Sequence, residues 1–237
     1  MISPTAGLRA AELRVIAGGS LTGVLRKLGP QFEQAHGHKL VIDYDSTPNI
    51  IAKMTSGMPF DVTVVPSDVF KDAGAKNRVI ATPIIDIVRV GYGVAVRAGA
   101  SKPDIRTADA LKKTLLDAQS IAFVPASAAG AYILGVFERL GIAEAMKAKT
   151  MPQATPAQIA PAVSKGEAAL GIFLTNVLIA PGVDLAGPFP AELQQQLVFQ
   201  AALALATNQA DAANQFRNYL TTPAAAAVFT AAGMNPG

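Results

Sequence analysis

Apolar residues recur along the chain in two alternating periods. Leu13–Ala17 is a short continuous apolar run, which predicts a buried strand. Leu21, Val24, Leu25, Leu28 and Phe32 then fall on one face of a helix predicted over Leu21–Ala35, and Gly37 in "HGH" supplies a natural stop. The alternation continues with a strand at Lys39–Asp45, a short helix at Pro48–Ser56 closed by Gly57, a strand at Asp61–Val65 and a short helix at Ser67–Gly74. A longer alternating strand, "VRVGYGVAVR", covers Val88–Arg97.

A second series repeats the rhythm. Helices are predicted at Thr107–Leu116, Ala129–Leu140 and Pro156–Lys165, the last two stopped by Gly141 and Gly166. Strands are predicted at Ser120–Val124, Lys149–Met151, Ala168–Leu174, Val183–Ala186 and Leu197–Ala206, followed by closing helices at Gln209–Leu220 and Ala224–Ala232. Such alternation predicts an α/β architecture with mostly parallel sheets. The units are too many for one small sheet, so two α/β lobes are expected: 1–90 with 200–237, and 91–199. The extended segments at 88–97 and 197–206 are the candidate crossings, and two crossings return the C-terminal helices to the first lobe.

Composition narrows the classes. With 237 residues, 51% hydrophobic and 16% charged, the chain can bury a real core, and disorder is excluded. The absence of cysteine excludes disulfides and thiolate metal sites. The formal charge is +3, with Lys and Arg scattered, so nucleic acid is not an expected partner; the mild positive excess suits an anionic ligand but is equally that of a plain solvated basic surface. No run approaches the roughly 18 apolar residues of a membrane span. The opening "MISPTAGLRAAELRVI" has no apolar core of a signal peptide. No metal or cofactor is expected.

Four helix starts share one chemistry. Ser20 follows the first strand. Ser46 and Thr47 precede Pro48, with Thr47 the expected N-cap. Ser127 precedes the helix carrying Tyr132, and Thr155 precedes Pro156. Each lies at the carboxyl end of an extended segment, the edge where open α/β sheets bind ligands. Free N–H groups and the helix dipole make each start a candidate anion site, although a hydroxyl there also serves as a plain cap. A dinucleotide fingerprint does not fit: in Gly18-Gly19-Ser20-Leu21-Thr22-Gly23 the middle glycine is displaced by one. No G-K-[ST] of a P-loop follows. His36 and His38 are expected to be solvated at a helix end, Asp61 to be a structural turn acid, and Lys53 and Arg89 are cations able to reach an anion.

The row "VIAGGSLTGVLRKLGPQFEQAHGHKLVIDYDSTPNIIAKMTSGMPFDVTVVPSD" resembles the first lobe of the periplasmic molybdate-binding proteins of ABC importers. "AVSKGEAALGIFLTNVL" and "FRNYLTTPAAAAVFTAAGM" resemble their later segments, so the likeness spans nearly the whole chain. It implies a type 2 periplasmic-binding-protein fold: two α/β lobes, a ligand cleft and two hinge crossings. It also implies an ABC permease in the membrane as partner, a monomer, and a periplasmic location with the signal peptide removed. Carried onto this chain, the family's serines fall on Ser20 and on Thr47 with Ser46 beside it, and a backbone contact falls on Ala129. Two further contacts fall on Pro156, which has no N–H, and on Leu174, which has no hydroxyl, so the implied ligand is not strictly molybdate.

"GVAVRAGASKPDI" and "PGVDLAGPFPAELQ" are similar to a divergent branch that includes aconitate isomerases, whose members carry a Ser-Ala-Ser-Gly turn where this chain has "ASAAGAY". The expectation is a solute-binding protein for a small oxyanion or organic polycarboxylate, held by Gly19, Ser20, Ser46, Thr47, Ser127, Ala129, Gly130 and Thr155. The alternative is an isomerase of an unsaturated polycarboxylic acid, with Asp45 or Tyr132 as the candidate base.

Overall fold

A computed structural model describes residues 10–81 and 83–237. Residues 1–9, part of the opening read above for a signal peptide, lie outside the described residues. The chain begins with β1 (Glu12–Gly18), α1 (Thr22–His36), β2 (Lys39–Asp45), α2 (Thr47–Thr55) and β3 (Val62–Pro66). It continues through α3 (Ala73–Lys76) into the long strand β4 (Ile85–Arg97). Then come α4 (Ala108–Asp117), β5 (Ile121–Phe123), α5 (Ala128–Arg139), α6 (Ala143–Lys149) and β6 (Thr150–Pro152). Next are α7 (Ile159–Ser164), β7 (Leu170–Leu174), α8 (Thr175–Leu178) and β8 (Val183–Pro188). The chain closes with β9 (Gln196–Leu203), α9 (Ala210–Tyr219), α10 (Pro223–Ala231) and β10 (Asn235–Pro236).

The strand order is β2-β1-β3-β9-β4-β7-β5-β6. β1 runs parallel to β2 and β3, and β5 runs parallel to β6 and β7. The connecting strands run the other way: β9 is antiparallel to β3 and β4, and β4 is antiparallel to β7 and β8. The expectation of mostly parallel sheets is corrected accordingly. The strands that return from one group to the other enter against the direction of its βαβ units. β4 is the shared element: Ile85–Gly91 pair with β9, and Tyr92–Arg97 pair with β7 and β8.

Strand alternation divides the first group into two packed faces. Leu13, Val15 and Ala17 of β1 meet Leu25, Leu28 and Phe32 of α1, and Phe216 and Phe229 bring α9 and α10 into the same cluster. Ile16 points to the opposite face, where Ile50 and Met54 of α2 cover it. The C-terminal helices thus do return to the first group of strands. α1 ends where Gly37 adopts φ +72° and donates its N–H to the Glu33 carbonyl (2.9 Å), as its sequence position suggests.

Some local expectations differ from the structure. The segment 156–165 opens with a 3₁₀ turn, Pro156–Gln158, before α7 starts at Ile159. The strand expected to reach residue 206 stops at Leu203. α6 and α8 have no counterpart in the sequence reading; both are too short for a full apolar period to register. His38 is buried, not solvated, at 1% exposure. Its Nδ1 accepts the Ala11 N–H (3.1 Å) and its Nε2 meets the Gln215 side-chain oxygen (3.2 Å), tying β1 to α9.

Candidate functional site

The carboxyl ends of β1, β2, β5 and β7 gather the polar turns. Gly19–Leu21 forms a 3₁₀ turn, so α1 begins at Thr22 and Ser20 projects from the turn between strand and helix. Gly19 lies against the other group of strands: a Cβ there would meet Pro156 Cδ at 3.3 Å. Ser46, in extended conformation, is the N-cap of α2, and Thr47, expected as the cap, is the first helical residue, so the helix starts one position earlier than expected. The Thr47 hydroxyl is thereby released from capping and accepts the Ala128 N–H at the start of α5 (3.2 Å). Asn176 of α8 donates its side-chain N–H to the Ser20 carbonyl (2.7 Å). Thr47, Ala128, Ser20 and Asn176 therefore lace the two groups of strands together across their facing edges.

Several helix-start donors already have partners. Ser127 caps α5: its Oγ accepts the Gly130 N–H (2.9 Å) and donates to the Val124 carbonyl (2.8 Å). Among the first three N–H groups of α5, Ala128 serves Thr47 and Gly130 serves Ser127, which leaves Ala129 for a ligand. Gly130 could not be larger, since a Cβ would stand 2.0 Å from the Val124 carbonyl oxygen. At Thr155 the Gln158 side chain turns back and accepts the Ala154 and Thr155 N–H groups, each at 3.0 Å. Ser46 makes no side-chain cap bond, so its hydroxyl is a donor a ligand can take.

Charge is placed with equal care. Asp45 ends β2 beside Gly18, and its Oδ1 accepts the Ser46 N–H (2.8 Å) and the Asn49 side-chain N–H (2.7 Å). Lys53 Nζ bridges Asp43 (2.6 Å) and Asp45 (2.7 Å). Partial burial pushes the Asp45 carboxyl up, but hydrogen bonds from Lys53, Asn49 and Ser46 outweigh it and leave it below the usual carboxylate range. Burial pulls Lys53 down, and its two carboxylate partners overcome that and hold it above the ordinary lysine value. Arg89 is likewise engaged, by Asp86 (2.7 Å). Neither cation proposed from sequence to reach an anion is therefore available to one.

The cations that do face the turns are Arg26 and Lys27 of α1. With Ser20, Pro156, Asn176 and Ala231 they line a groove of about 470 Å³. Neither forms an ion pair among the described residues. Sequence reasoning missed Arg26, Lys27 and Asn176. Arg26 and Lys27 read as an exposed helix face, and Asn176 lies in a helix too short to predict. A second hollow of about 420 Å³ opens at the opposite end of β1 and β3, by Arg14, Asp61 and Arg78. Asp61 there accepts the Arg14 N–H (2.8 Å) and the Thr207 hydroxyl (2.6 Å), the structural part its sequence position suggests. Tyr132 donates its hydroxyl to the Leu193 carbonyl (2.7 Å) and lies over the buried Tyr92, 4.6 Å between ring centroids.

Two α/β groups joined by crossing strands, with polar helix starts meeting across their facing edges, define a two-lobed ligand-binding protein. Residues 13–235 match the family model of bacterial extracellular solute-binding proteins, and the chain belongs to that family. It is 31% identical to an aconitate isomerase of Pseudomonas sp over 232 residues, covering 94% of this chain and 87% of the relative. It is 27% identical to a molybdate-binding protein of Azotobacter vinelandii over 228 residues, 95% of this chain and 90% of the relative. Among solved structures, the periplasmic molybdate-binding protein of Azotobacter vinelandii superposes with a TM-score of 0.78 at 22% identity, covering 94% of this chain and 98% of that one. A sulfate-binding protein of Mycobacterium tuberculosis H37Rv gives 0.75 at 18% identity, covering 95% and 87%. These likenesses establish the fold.

Proposed function

We propose that this solute-binding protein captures a small anion, an oxyanion or an organic polycarboxylate, between its lobes and delivers it to an ABC permease from the periplasm. The observation that carries the reading is the groove where Arg26 and Lys27 stand, without acidic partners among the described residues, beside Gly19 and Ser20 and next to Asn176, whose bond to Ser20 bridges the lobes. Unpaired cations supply the charge, helix-start groups supply direction, and a ligand touching both lobes stabilises the closed form. The ligand-binding set is Gly19, Ser20, Ser46, Thr47, Ser127, Ala129, Gly130 and Thr155, with Ser127 and Gly130 shaping the α5 start rather than donating directly. Lobe 1 comprises 1–90 and 200–237 and lobe 2 comprises 91–199, with β4 and β9 at the crossings, and the protein acts as a monomer. Relatives named for molybdate and a neighbour named for sulfate support an anion; the missing contacts at Pro156 and Leu174 argue against strict molybdate binding. Calorimetry against molybdate, sulfate, and di- and tricarboxylates tests it. Binding of at least one at micromolar concentration is expected, and no heat from any at millimolar concentration overturns the proposal.

The 31% relative named as an aconitate isomerase favours a second reading, proton transfer within an unsaturated tricarboxylate. Both candidate bases are engaged: Asp45 by Lys53, Asn49 and Ser46, and Tyr132 by Leu193. Incubation with cis-aconitate, followed by chromatography of the trans isomer, separates the readings; sustained turnover favours the isomerase.

A further inference from the structure

Hydrogen-bond donors and acceptors do not balance around the cleft. The Ser46 N–H is held by Asp45, the Gly130 N–H by Ser127, the Ser127 hydroxyl by Val124 and the Thr22 hydroxyl by the Gly19 carbonyl (2.7 Å). Several helix-start donors are thus used within the protein, while the Ser46 hydroxyl and the Ala129 N–H stay available to a ligand. An acceptor is left over as well. The side-chain oxygen of Asn176 is buried and has no partner among the described residues, while the amide nitrogen of the same group holds the Ser20 carbonyl. A buried carbonyl oxygen without a donor costs about 1–3 kcal/mol. The residue itself lines the groove that Arg26 and Lys27 also line.

Resting on the anion-binding reading above, we propose that the ligand is a polycarboxylate bearing a hydroxyl, and that Asn176 is the residue that selects it. The carboxylates face Arg26 and Lys27. The ligand hydroxyl donates to Asn176 Oδ1 when the lobes reclose over it. Sulfate and molybdate carry no proton at neutral pH and leave that oxygen unsatisfied. A polycarboxylate without the hydroxyl gains the charge but not the bond. Sites built around a donor–acceptor pair reject the analogue that lacks the donor more strongly than apolar sites reject a change in size.

The test is calorimetry with matched pairs, citrate against tricarballylate and malate against succinate, beside sulfate and molybdate. In the wild type the hydroxylated member of at least one pair binds about tenfold tighter. In Asn176→Leu, which keeps the branching at Cγ and removes the acceptor together with the amide donor, that ratio falls to about one. In Arg26→Gln both members weaken together and the ratio stays. Equal binding within each pair in the wild type overturns the inference without any variant, as does tighter binding of sulfate or molybdate. A ratio that survives in a folded Asn176→Leu also overturns it. All three of these outcomes leave anion capture standing. Failure of every anion to bind overturns both.

Discussion

The Asp45 carboxylate sits at the carboxyl end of β2, where an anion-binding cleft would be expected to keep negative charge away. It is tolerated because Lys53, Asn49 and the Ser46 N–H enclose it. The folded Asp45 titrates below the ordinary value of 3.8, so its stabilising effect is present above that pH and is lost as pH falls through the folded value. Lys53 titrates above 10.5, so its effect is complete below that pH and is lost as pH rises through the folded value. The difference in melting temperature between wild type and Lys53→Met is therefore flat through neutral pH and shrinks at both extremes. A difference unchanged down to acid pH rules the cluster out as a stabilising unit. Gly130 makes a separate demand. Gly130→Ala drives a methyl against the Val124 carbonyl and is expected to cost about 3 kcal/mol in urea unfolding, at the upper end for overpacking. His38→Leu leaves the Ala11 N–H and the Gln215 side chain unpaired, for about 1–3 kcal/mol by the same measurement.

At the scale of elements, β4 does the most, because one 13-residue strand belongs to both groups of the sheet. Its change of partners falls at Gly91 and Tyr92. There Gln194 accepts the Tyr92 N–H (2.8 Å) and donates to the Tyr92 carbonyl (2.9 Å), doing for one residue what a neighbouring strand does elsewhere. Gly91 leaves room for that amide, which a Cβ would approach to 3.2 Å. Burial, with the nearby Tyr132 and Asp68, pushes the Tyr92 phenol well above its ordinary range, so the aromatic packing at this crossing stays neutral. Gln194→Ala is expected to speed hydrogen exchange at the Tyr92 amide at least tenfold while leaving Val94, inside the β4–β7 ladder, unchanged. Equal acceleration at both positions means that the strand opens as a whole and Gln194 is not a local clamp.

For the whole molecule, few side-chain hydrogen bonds join the two groups of strands among the described residues. Thr47 to Ala128 and Asn176 to Ser20 are direct bonds between lobes, and each is worth about 1 kcal/mol net. Equilibria held by so little respond to a ligand with modest differential affinity. Thr47→Val keeps the shape and removes the acceptor, and is expected to shift the ligand-free population toward the open form by about fivefold. Small-angle scattering then gives a larger radius of gyration than for the wild type. An identical radius means that this contact does not hold the closed form.

What the sequence by itself determined is what local physics encodes. Helical and strand periods set the order of elements, glycines at positive φ end α1 at Gly37 and α5 at Gly141, and the polar turns mark the carboxyl edges of the strands. Motif order carried the family. Tertiary structure alone decided which turns meet. Thr47 finds Ala128 from 81 positions away and Asn176 finds Ser20 from 156, distances over which no periodicity extends. The same holds for the antiparallel entry of β4 and β9, for the burial of His38 between β1 and α9, and for the closure of Asp45 by Lys53. Each depends on sheet order, and sheet order is set by which faces can be buried together, a property of the assembled chain rather than of any segment.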